Sequence, residues 1–348
     1  MHQLSGLDAT FLYAEMNNSP MHIAPLLIYD PATTGRDVVR FKDILQTFAE
    51  RLDRSPVFRR KLAMVPLNLD QPYWVDDDRF DLEFHVRHIA LPKPGDWRQL
   101  SILAARLHAR PLDRARPLWE AYIIEGLDNV AGLPQGCYAM LLKVHHAAID
   151  GASGVELISA LHDFTATPPP PRPAAPPLLD SPPSQAEMLW RAYKANMKAP
   201  FRLARMVGQG IPAWRRVHEG VKAKKFRTLG DKERTRFNAA VSPHRVFGAA
   251  DFDLAVIRKA REAVPGATVN DAILSIVGGA LRQYLMDKKE LPAKSLVAGA
   301  PVNVRSRDEA KTGGNQVSMM TVPLGSDVAD PLERLRSVHR DAGGSKAY

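Results

Sequence analysis

A proline-rich stretch sets the strongest limit on how this chain can fold. The stretch TPPPPRPAAPPLLDSPPSQ, residues 167–185, contains nine of the 28 prolines. Proline lacks a backbone N–H group and fixes φ, so such a dense run cannot sustain a helix or a central strand. It predicts a stiff, extended connection. Because the chain has 348 residues with 45% hydrophobic content, and single cores stop growing at roughly 250–300 residues, two lobes are expected.

Helical and strand patterns occur on both sides of this connection, which indicates an α/β fold with mixed sheets flanked by helices. In the first lobe the predicted buried strands are His22–Asp30 and Cys137–Val144, and the predicted amphipathic helices are Arg40–Arg54 and Trp97–Leu112. In the second lobe the predicted strands are Arg245–Asp253 and Ser295–Val304, and the predicted helices are Leu254–Val264 and Asn270–Met286. The expected domains are 1–166, 167–238 (the proline-rich crossover and a basic helical segment) and 239–348.

Composition excludes several classes of protein. No apolar run reaches the roughly 18–20 residues that a membrane-spanning helix needs, and the N-terminus lacks a basic segment followed by an apolar one. A cytoplasmic protein is therefore expected. Cys137 is the one cysteine, so neither an intrachain disulfide nor a multi-thiolate metal site can form. A role in the core is expected for this cysteine.

The positive charge is concentrated in residues 188–236, which contain 14 Lys or Arg and 3 acidic residues. The whole chain carries +9, so the remaining residues carry −2. Within this segment, apolar side chains recur at helical spacing beside basic ones, and Pro200 is expected to kink or split the helix. The apolar residues are Trp190, Tyr193, Met197, Phe201 and Ala204, and the basic ones are Arg191, Lys194, Lys198, Arg202 and Arg205.

Two interpretations of this segment remain open. The helix can cover a core with a solvated flank. Alternatively, it can lie at a lipid boundary, where its aromatic side chains enter the interface and its cations meet anionic headgroups or a nucleotide phosphate. Nucleic-acid binding is disfavoured because no recognised binding motif accompanies the charge.

Two adjacent histidines follow the predicted strand Cys137–Val144. Side chains alternate across a strand, so His145 and His146 should point to opposite sides. If His146 faces a cleft, its imidazole can accept a proton near neutral pH and return it, and His145 becomes a structural, hydrogen-bonded residue. Asp150 is expected to pin the following loop through an arginine partner, and Gly151 to supply backbone freedom for a tight turn.

The histidine pair alone leaves other interpretations open. Both rings can simply be satisfied at the end of a strand. A facial metal site of two histidines and a carboxylate is disfavoured because adjacent strand residues diverge and no further ligand cluster is evident. No metal is therefore expected. A serine hydrolase is disfavoured because no G-x-S-x-G elbow occurs in the sequence.

The string HHAAIDG, His145–Gly151, matches the HHxxxDG motif of acyltransferases related to chloramphenicol acetyltransferase and to peptide-synthetase condensation domains. Further strings occur around it in order. They are LSGLDATFLYAE (Leu4–Glu15), SPMHIAPLLIY (Ser19–Tyr29), PLDRARPLWEAYIIEGL (Pro111–Leu127), TVNDAILSIVGGALR (Thr268–Arg282) and AGAPVNVR (Ala298–Arg305). With these strings the chain resembles, over nearly its whole length, the bacterial wax ester synthase/acyl-CoA:diacylglycerol acyltransferase family.

The resemblance implies a two-lobed, chloramphenicol acetyltransferase-like fold with an active-site tunnel at the lobe interface. It implies that His146 is the base, that His145 is its neighbour, and that Asp150 and Gly151 shape the loop. Asn270 and Asp271 match an N-D pair that is expected to bind substrate, although Thr268 and Asp271 also form a capping-box pattern. Arg305 is the candidate partner of Asp150.

The same resemblance implies acyl-CoA as donor, a fatty alcohol or diacylglycerol as acceptor, no cofactor and no acyl-enzyme. Because both substrates are amphiphiles, the basic segment 188–236 predicts peripheral association with the inner membrane or lipid inclusions. Two competing functions remain: a condensation-type enzyme that uses a carrier-bound thioester, and a non-catalytic lipid-binding protein of the same fold. Family members usually continue for roughly a hundred residues more, so either the sequence is partial or the second lobe is reduced.

Overall fold

A computed structural model describes residues 2–16, 18–35, 39–149, 153–163, 165, 183–201, 204–205, 207–208, 210–211, 218, 235–303 and 317–346. The chain forms two compact units. The first comprises the described residues of Met1–Ala199 and Val241–Gly248, and the second those of Pro200–Ala240, Ala249–Lys311 and Gln316–Tyr348. The predicted boundaries at residues 166 and 238 stay a prediction, because most of 167–238 lies outside the described residues.

The first unit is built on two sheets and their flanking helices. Its strands are β1 (His2–Gln3), β2 (His22–Ile23), β3 (Leu26–Tyr29), β4 (Arg60–Ala63), β5 (Tyr73–Asp76), β6 (Val86–Ala90), β7 (Trp119–Glu125) and β8 (Tyr138–His145). Its helices are α1 (Gly6–Ala14), α2 (Phe41–Ala49), α3 (Leu82–His85), α4 (Trp97–His108), α5 (Ser153–Leu161) and α6 (Gln185–Met197).

Strand β8 is central to the larger sheet. Strands β2 and β3 pair with one of its edges and β7 with the other, all antiparallel, and β6 adds to β7 in parallel. The register places His22 opposite His145. Strands β1, β5 and β4 form a separate antiparallel sheet.

The two faces of the larger sheet support two apolar cores. On one face, Met140, Leu142 and Val144 of β8 pack with side chains from α2 and α5. On the other face, Ala139 and Leu141 pack with Leu100 and Leu107 of α4 and their neighbours. Because side chains alternate along a strand, β8 is apolar on both faces, as a strand covered on both sides must be.

The second unit contains α7 (Leu254–Arg261), α8 (Val269–Asp287), β9 (Val297–Asn303), β10 (Val317–Pro323) and α9 (Pro331–Lys346). Strands β9 and β10 form an antiparallel pair. Helices α8 and α9 contribute Ala272 and Leu335 to a small apolar core. Gly278 permits close packing here, since a Cβ at this position would overlap the Leu324 carbonyl oxygen.

The predicted strand Arg245–Asp253 is wrong. None of these residues joins a strand ladder with a described residue. Val246 and Phe252 are 98% and 63% exposed. The apolar pattern therefore gains neither burial nor a paired neighbour, and these are what stabilise a strand.

Helix α6 combines one feature of each interpretation of the basic segment. Met188 and Ala192 of α6 are buried against Val65 and Tyr73 of the first unit, so the helix does cover a core. The predicted apolar stripe, however, faces solvent. Trp190, Tyr193 and Met197 are 56%, 57% and 61% exposed.

Candidate active site

The histidine pair lies where β8 ends. The His145 backbone N–H donates to the Leu118 carbonyl oxygen at 3.0 Å, and the His146 N–H donates to the Met21 carbonyl oxygen at 2.9 Å. Residues His146–Ala148 then form a single 3₁₀ turn. Backbone hydrogen bonds to the segments that contain Leu118 and Met21 therefore hold the histidine pair in place.

The ring of His145 belongs to the core. The residue is fully buried, and its Nδ1 accepts a hydrogen bond from the Ala147 N–H at 3.0 Å, which caps the 3₁₀ turn. Accepting at Nδ1 places the ring proton on Nε2. That nitrogen lies 3.7 Å from Glu15 Oε2. Burial lowers the pKa of His145 to about 4, although the Glu15 carboxylate opposes this shift. The ring is therefore neutral at pH 7.

Glu15 and Arg114 form an ion pair beside His145, in which the Glu15 side chain is 7% exposed and the Arg114 side chain is 42% exposed. Arg114 donates to Glu15 Oε2 from Nε at 3.0 Å and from Nη2 at 2.5 Å, and the Met21 N–H donates to Oε1 at 3.1 Å. Burial alone would raise the pKa of Glu15, but these hydrogen bonds and the nearby charges lower it below its usual range. We call Glu15, Arg114 and His145 the Glu15 network.

The ring of His146 has different surroundings. It is half-buried and stacks on Phe11 of α1, with ring centroids 5.0 Å apart and planes 19° apart. Burial lowers the pKa of His146, so the ring is neutral at pH 7. Within the described part of the chain, no residue hydrogen-bonds its ring nitrogens. The arrangement can bind a hydroxyl proton and return it, which is general-base chemistry.

Three predicted site residues, Asp150, Gly151 and Arg305, lie outside the described residues. Their proposed roles in the loop stay predictions. Among the residues that the structure describes, no group of three or more His, Cys, Asp or Glu side chains is arranged to hold a metal ion. No helix in this part of the chain is long and apolar enough to span a membrane.

The N-D pair lies at the start of α8. Asn270 is exposed, whereas Asp271 is 2% exposed. The predicted capping box is present: Thr268 Oγ1 accepts from the Asp271 N–H at 3.2 Å, and Asp271 Oδ2 accepts from the Thr268 N–H at 2.8 Å. Asp271 thus has a local structural role, and substrate binding by the pair stays a prediction.

A histidine that the sequence analysis does not identify contacts Asp271. His339 Nδ1 donates to Asp271 Oδ2 at 2.9 Å, and Asp271 Oδ1 is buried without a hydrogen-bond partner among the described residues. Burial would raise the pKa of Asp271, but the hydrogen bonds from Thr268 and His339 lower it overall. The carboxylate is therefore ionised at pH 7.

Sequence reasoning also missed Phe11, Glu15 and Arg114 as site residues. All three lie within the strings that carry the family resemblance, Leu4–Glu15 and Pro111–Leu127. That location is the one signal that could have identified them. Glu15 and Arg114 are 99 residues apart, so no local spacing shows that they form an ion pair.

Comparisons with solved structures support the fold. A wax ester synthase/diacylglycerol acyltransferase from Marinobacter aquaeolei VT8 matches with a TM-score of 0.66 and 27% identity, covering 100% of this chain and 72% of that one. The first condensation domain of the CDA synthetase matches with a TM-score of 0.54 and 16% identity, covering 99% and 74%. The predicted chloramphenicol acetyltransferase-like α/β fold is confirmed, and the tunnel stays a prediction.

Comparisons with protein families and relatives agree. The model of the wax ester synthase/diacylglycerol acyltransferase catalytic domain matches residues 4–273, and that of the WS/DGAT C-terminal domain matches residues 313–347. A putative diacylglycerol O-acyltransferase from Mycobacterium tuberculosis is 33% identical over 343 residues. A probable diacylglycerol O-acyltransferase from the same species is 34% identical over 355 residues.

The two mycobacterial relatives differ from this chain in length. The match covers 97% of this chain in both cases, but 65% of the first relative and 72% of the second. The catalytic-domain match includes the whole histidine motif and the segments that surround it, from α1 to the first residues of α8. The chain belongs to the wax ester synthase/diacylglycerol acyltransferase family.

Proposed function

We propose that this protein transfers a fatty acyl group from acyl-CoA to the hydroxyl of a long-chain alcohol or of diacylglycerol. The observation that carries the proposal is the His146 imidazole, which is neutral, half-buried and not hydrogen-bonded to any described residue through its ring nitrogens. Family membership and the names of the mycobacterial relatives support this class of reaction.

The acceptor hydroxyl oxygen attacks the thioester carbonyl carbon while its proton passes to a ring nitrogen of His146. An alcohol has a pKa far above 7, so proton transfer must accompany formation of the C–O bond. The tetrahedral intermediate then collapses, the C–S bond breaks, and the imidazolium returns the proton to the CoA sulfur. The products are an ester and free CoA. No covalent acyl-enzyme is required.

His145 supports this step without contacting the substrate. Its Nδ1 accepts a hydrogen bond from the Ala147 N–H, which leaves the ring proton on Nε2 on the side of Glu15. Burial keeps the ring neutral, although the Glu15 carboxylate opposes this. The 3₁₀ turn that carries His146 is therefore anchored to the core. Phe11 limits the rotation of the His146 ring by stacking on it.

The test is an acyltransfer assay on the purified chain. Palmitoyl-CoA is incubated with hexadecanol or with dioleoylglycerol, thiol release is followed continuously, and the ester product is identified by mass spectrometry. We expect thiol release that depends on the acceptor and matches the ester formed. Release without ester would show hydrolysis and would contradict the proposal.

Two further experiments test the condensation-type alternative and the absence of an acyl-enzyme. Supplying the palmitoyl group on a phosphopantetheinylated carrier protein tests the condensation-type alternative, and faster turnover with the carrier than with palmitoyl-CoA would favour it. Intact-protein mass spectrometry after rapid quenching tests the mechanism. A protein peak heavier by one palmitoyl group, chemically competent to form product, would contradict direct transfer.

We further propose that α6 binds a lipid surface that contains anionic headgroups. Trp190 and Tyr193 stack on each other with centroids 5.8 Å apart, and both face solvent. The Lys194 ammonium lies 4.7 Å from the centroid of the Trp190 ring. Exposed aromatic side chains beside cations are typical of helices that lie at a membrane interface. Both proposed acceptors are amphiphiles, which such a surface would supply.

Vesicle sedimentation tests this surface. The chain is mixed with neutral vesicles and with vesicles that contain anionic phospholipid, at low and high salt. We expect binding that requires the anionic lipid and weakens with salt. The double variant Trp190→Ser/Tyr193→Ser should lose binding, whereas Phe252→Ser, which removes a similarly exposed ring from the second unit, should retain it. Equal binding of both variants would exclude α6 as the contact.

A further inference from the structure

A cavity of about 610 Å³ lies in the first unit beside α4, apart from the residues that contact His146. It is formed by α4 and the two residues after it on one side and by residues 243–247 on the other. The lining residues from α4 and its end are Arg98, Ser101, Ile102, Ala105, Arg106, Ala109 and Arg110. Its volume is within the roughly 300–1,000 Å³ range of small-molecule sites.

The helical period explains why these side chains meet in one cavity. The lining positions recur at intervals of three and four residues, which places them along one face of α4. The opposite face carries Leu100 and Leu107, which pack on the sheet. Arg98, Arg106 and Arg110 are exposed on the cavity side. Helix α4 therefore turns its apolar face to the core, and Arg98 and Arg106 of the helix line the cavity together with Arg110 just after it.

The cavity wall is held in place by buried side chains. His22 Nε2 donates to the His108 carbonyl oxygen at 2.9 Å, and Lys143 Nζ donates to the Arg110 carbonyl oxygen at 2.7 Å. His22 is 6% exposed, and the Lys143 side chain is fully buried. These bonds fix the end of α4, where carbonyl groups lack helical partners. His22 also lies opposite His145 in the sheet register, so this wall adjoins the end of β8 that carries the histidine pair.

The opposite wall supplies a fourth guanidinium group. Arg245 Nη1 donates to the Ser242 carbonyl oxygen and, at 3.1 Å, to the His244 carbonyl oxygen, and its Nη2 donates to the Asn18 carbonyl oxygen. All three acceptors are neutral backbone groups. Phe247 adds an apolar edge, with its ring centroid 6.5 Å from that of Trp97.

The cavity has an unusual balance of charge. It is lined by four arginines and by no aspartate or glutamate. Within the described part of the chain, none of the four forms an ion pair with a carboxylate. Like charges that share a cavity create a positive potential that attracts an anion. Arginine forks match phosphate oxygens with two parallel N–H donors, which makes phosphate the anion that suits this site.

We propose that this arginine cavity binds phosphate groups and that the ligand is the nucleotide end of CoA. This inference rests on the proposed acyl-CoA donor. CoA carries a diphosphate and a 3′-phosphate. A ligand with several phosphate groups can pair with several guanidinium groups at once, whereas a ligand with a single phosphate cannot. The apolar side chains Ile102, Val246 and Phe247 offer a surface for the adenine ring. A flexible pantetheine arm separates the phosphates from the thioester, so the phosphate site and His146 need not touch.

Isothermal titration of the full chain with CoA, with 3′-dephospho-CoA and with pantetheine tests the cavity without requiring turnover. The variant is Arg98→Ala/Arg106→Ala, since both side chains are exposed and their removal leaves the core intact. We expect its affinity for CoA to fall about tenfold or more, because charge-assisted phosphate contacts are lost. Arg106→Lys should bind with intermediate affinity. Arg79→Ala, which removes an exposed arginine outside the cavity, should bind as the wild type does.

The outcomes separate this inference from the proposed function. Unchanged CoA affinity in the double variant would overturn the inference, and so would failure of the wild-type chain to bind CoA. Loss of binding to anionic vesicles with unchanged CoA affinity would also overturn it, because the phosphate would then belong to a lipid headgroup. Arginine-dependent CoA binding in a chain that transfers no acyl group would refute the proposed function and uphold the cavity. Pantetheine binding should not respond to any of these substitutions.

Discussion

His145 and His146 are consecutive in the chain, yet they lie in two regions that differ in almost every physical respect. His145 is fully buried in the Glu15 network, whereas His146 is half-buried against Phe11. The ring of His145 is held by a backbone N–H and a nearby carboxylate, whereas described residues leave the nitrogens of His146 without a hydrogen bond. The two side chains point in different directions because they are consecutive residues at the end of a strand. Strand β8 ends at His145, and His146 begins the 3₁₀ turn, so His146 is not part of the sheet.

This contrast shows how one dipeptide can supply both a support and a reactive group. A neutral histidine inside the core needs fixed partners, and the fixed partners make it unable to exchange protons with a substrate. A histidine at the end of a strand keeps its nitrogens available, but the backbone that carries it must be held rigidly. His145 of the Glu15 network provides this support, because its Nδ1 caps the turn that carries His146.

The largest effect is expected from removing the proposed base. His146→Ala should lower kcat about 100- to 10,000-fold, which is the usual contribution of a general base. Its affinity for CoA and its thermal stability should stay close to those of the wild type, because described residues make no hydrogen bond to this ring. Steady-state kinetics and calorimetry measure the two quantities. Turnover near the wild-type rate would end the assignment of His146.

The next effect concerns stability as a function of pH. Because burial lowers the pKa of His145 to about 4, the folded chain binds fewer protons than the unfolded chain between that pH and about 6.5. Stability is therefore fully present above about pH 6.5 and falls as the pH drops toward 4, by about 3 kcal/mol for this group. His22, whose pKa burial lowers to about 3, should act in the same direction. Urea denaturation at pH 7 and pH 5 should detect about 2 kcal/mol of this loss from His145.

A His145 variant and an NMR titration test whether His145 is the group that makes stability depend on pH. His145→Asn keeps an acceptor for the Ala147 N–H but cannot titrate, so its stability should depend less on pH. Titration of the wild-type histidine resonances by NMR checks the same point without a substitution. A His145 resonance that titrates near 6.5 in the folded chain would contradict the buried, neutral state.

Replacing Arg114 tests how much the ion pair in the Glu15 network contributes to stability. Arg114→Ala removes both guanidinium donors and leaves the Glu15 carboxylate, 7% exposed, with the Met21 N–H as its remaining close donor. We expect a loss of about 1–2 kcal/mol of unfolding free energy, because the Glu15 charge loses two donors, while solvent around the 42% exposed Arg114 already screens part of the interaction. The matched control is Arg40→Ala. Arg40 is 76% exposed and pairs with Asp43, so its loss should cost about 0–1 kcal/mol.

Several parts of this architecture could be predicted from local sequence. The strand predicted as Cys137–Val144 is observed as Tyr138–His145, and α4 begins at the predicted residue, Trp97. The capping box of Thr268 and Asp271 is present as predicted. In each case the determining interaction lies within a few residues, either as an apolar period or as a side chain that caps its own helix.

The remaining features depend on contacts between distant segments. Glu15 and Arg114 meet because α1 and the segment before β7 are brought together by the fold, and neither residue has a local pattern that shows this. Arg245–Asp253 has the composition of a strand but no described neighbour to pair with. The apolar stripe of α6 has the correct period for burial, yet Met188 and Ala192 are buried instead of Trp190. The periodicity locates the helix and does not determine which face is covered.

The smallest effect tests why the His146 ring is half-buried. Phe11→Ala removes a stacked ring, an interaction worth about 0.5–1.5 kcal/mol, so kcat should fall about 2- to 10-fold. It also admits water. Since burial is what lowers the pKa of His146, that pKa should rise toward 6.5. A general base works when it is unprotonated, so the acid limb of the kcat/KM profile should move to higher pH. Phe11→Leu keeps the burial without the stacking, so its limb should stay in place while its kcat falls. An unmoved limb in Phe11→Ala would show that Phe11 does not control the protonation of His146.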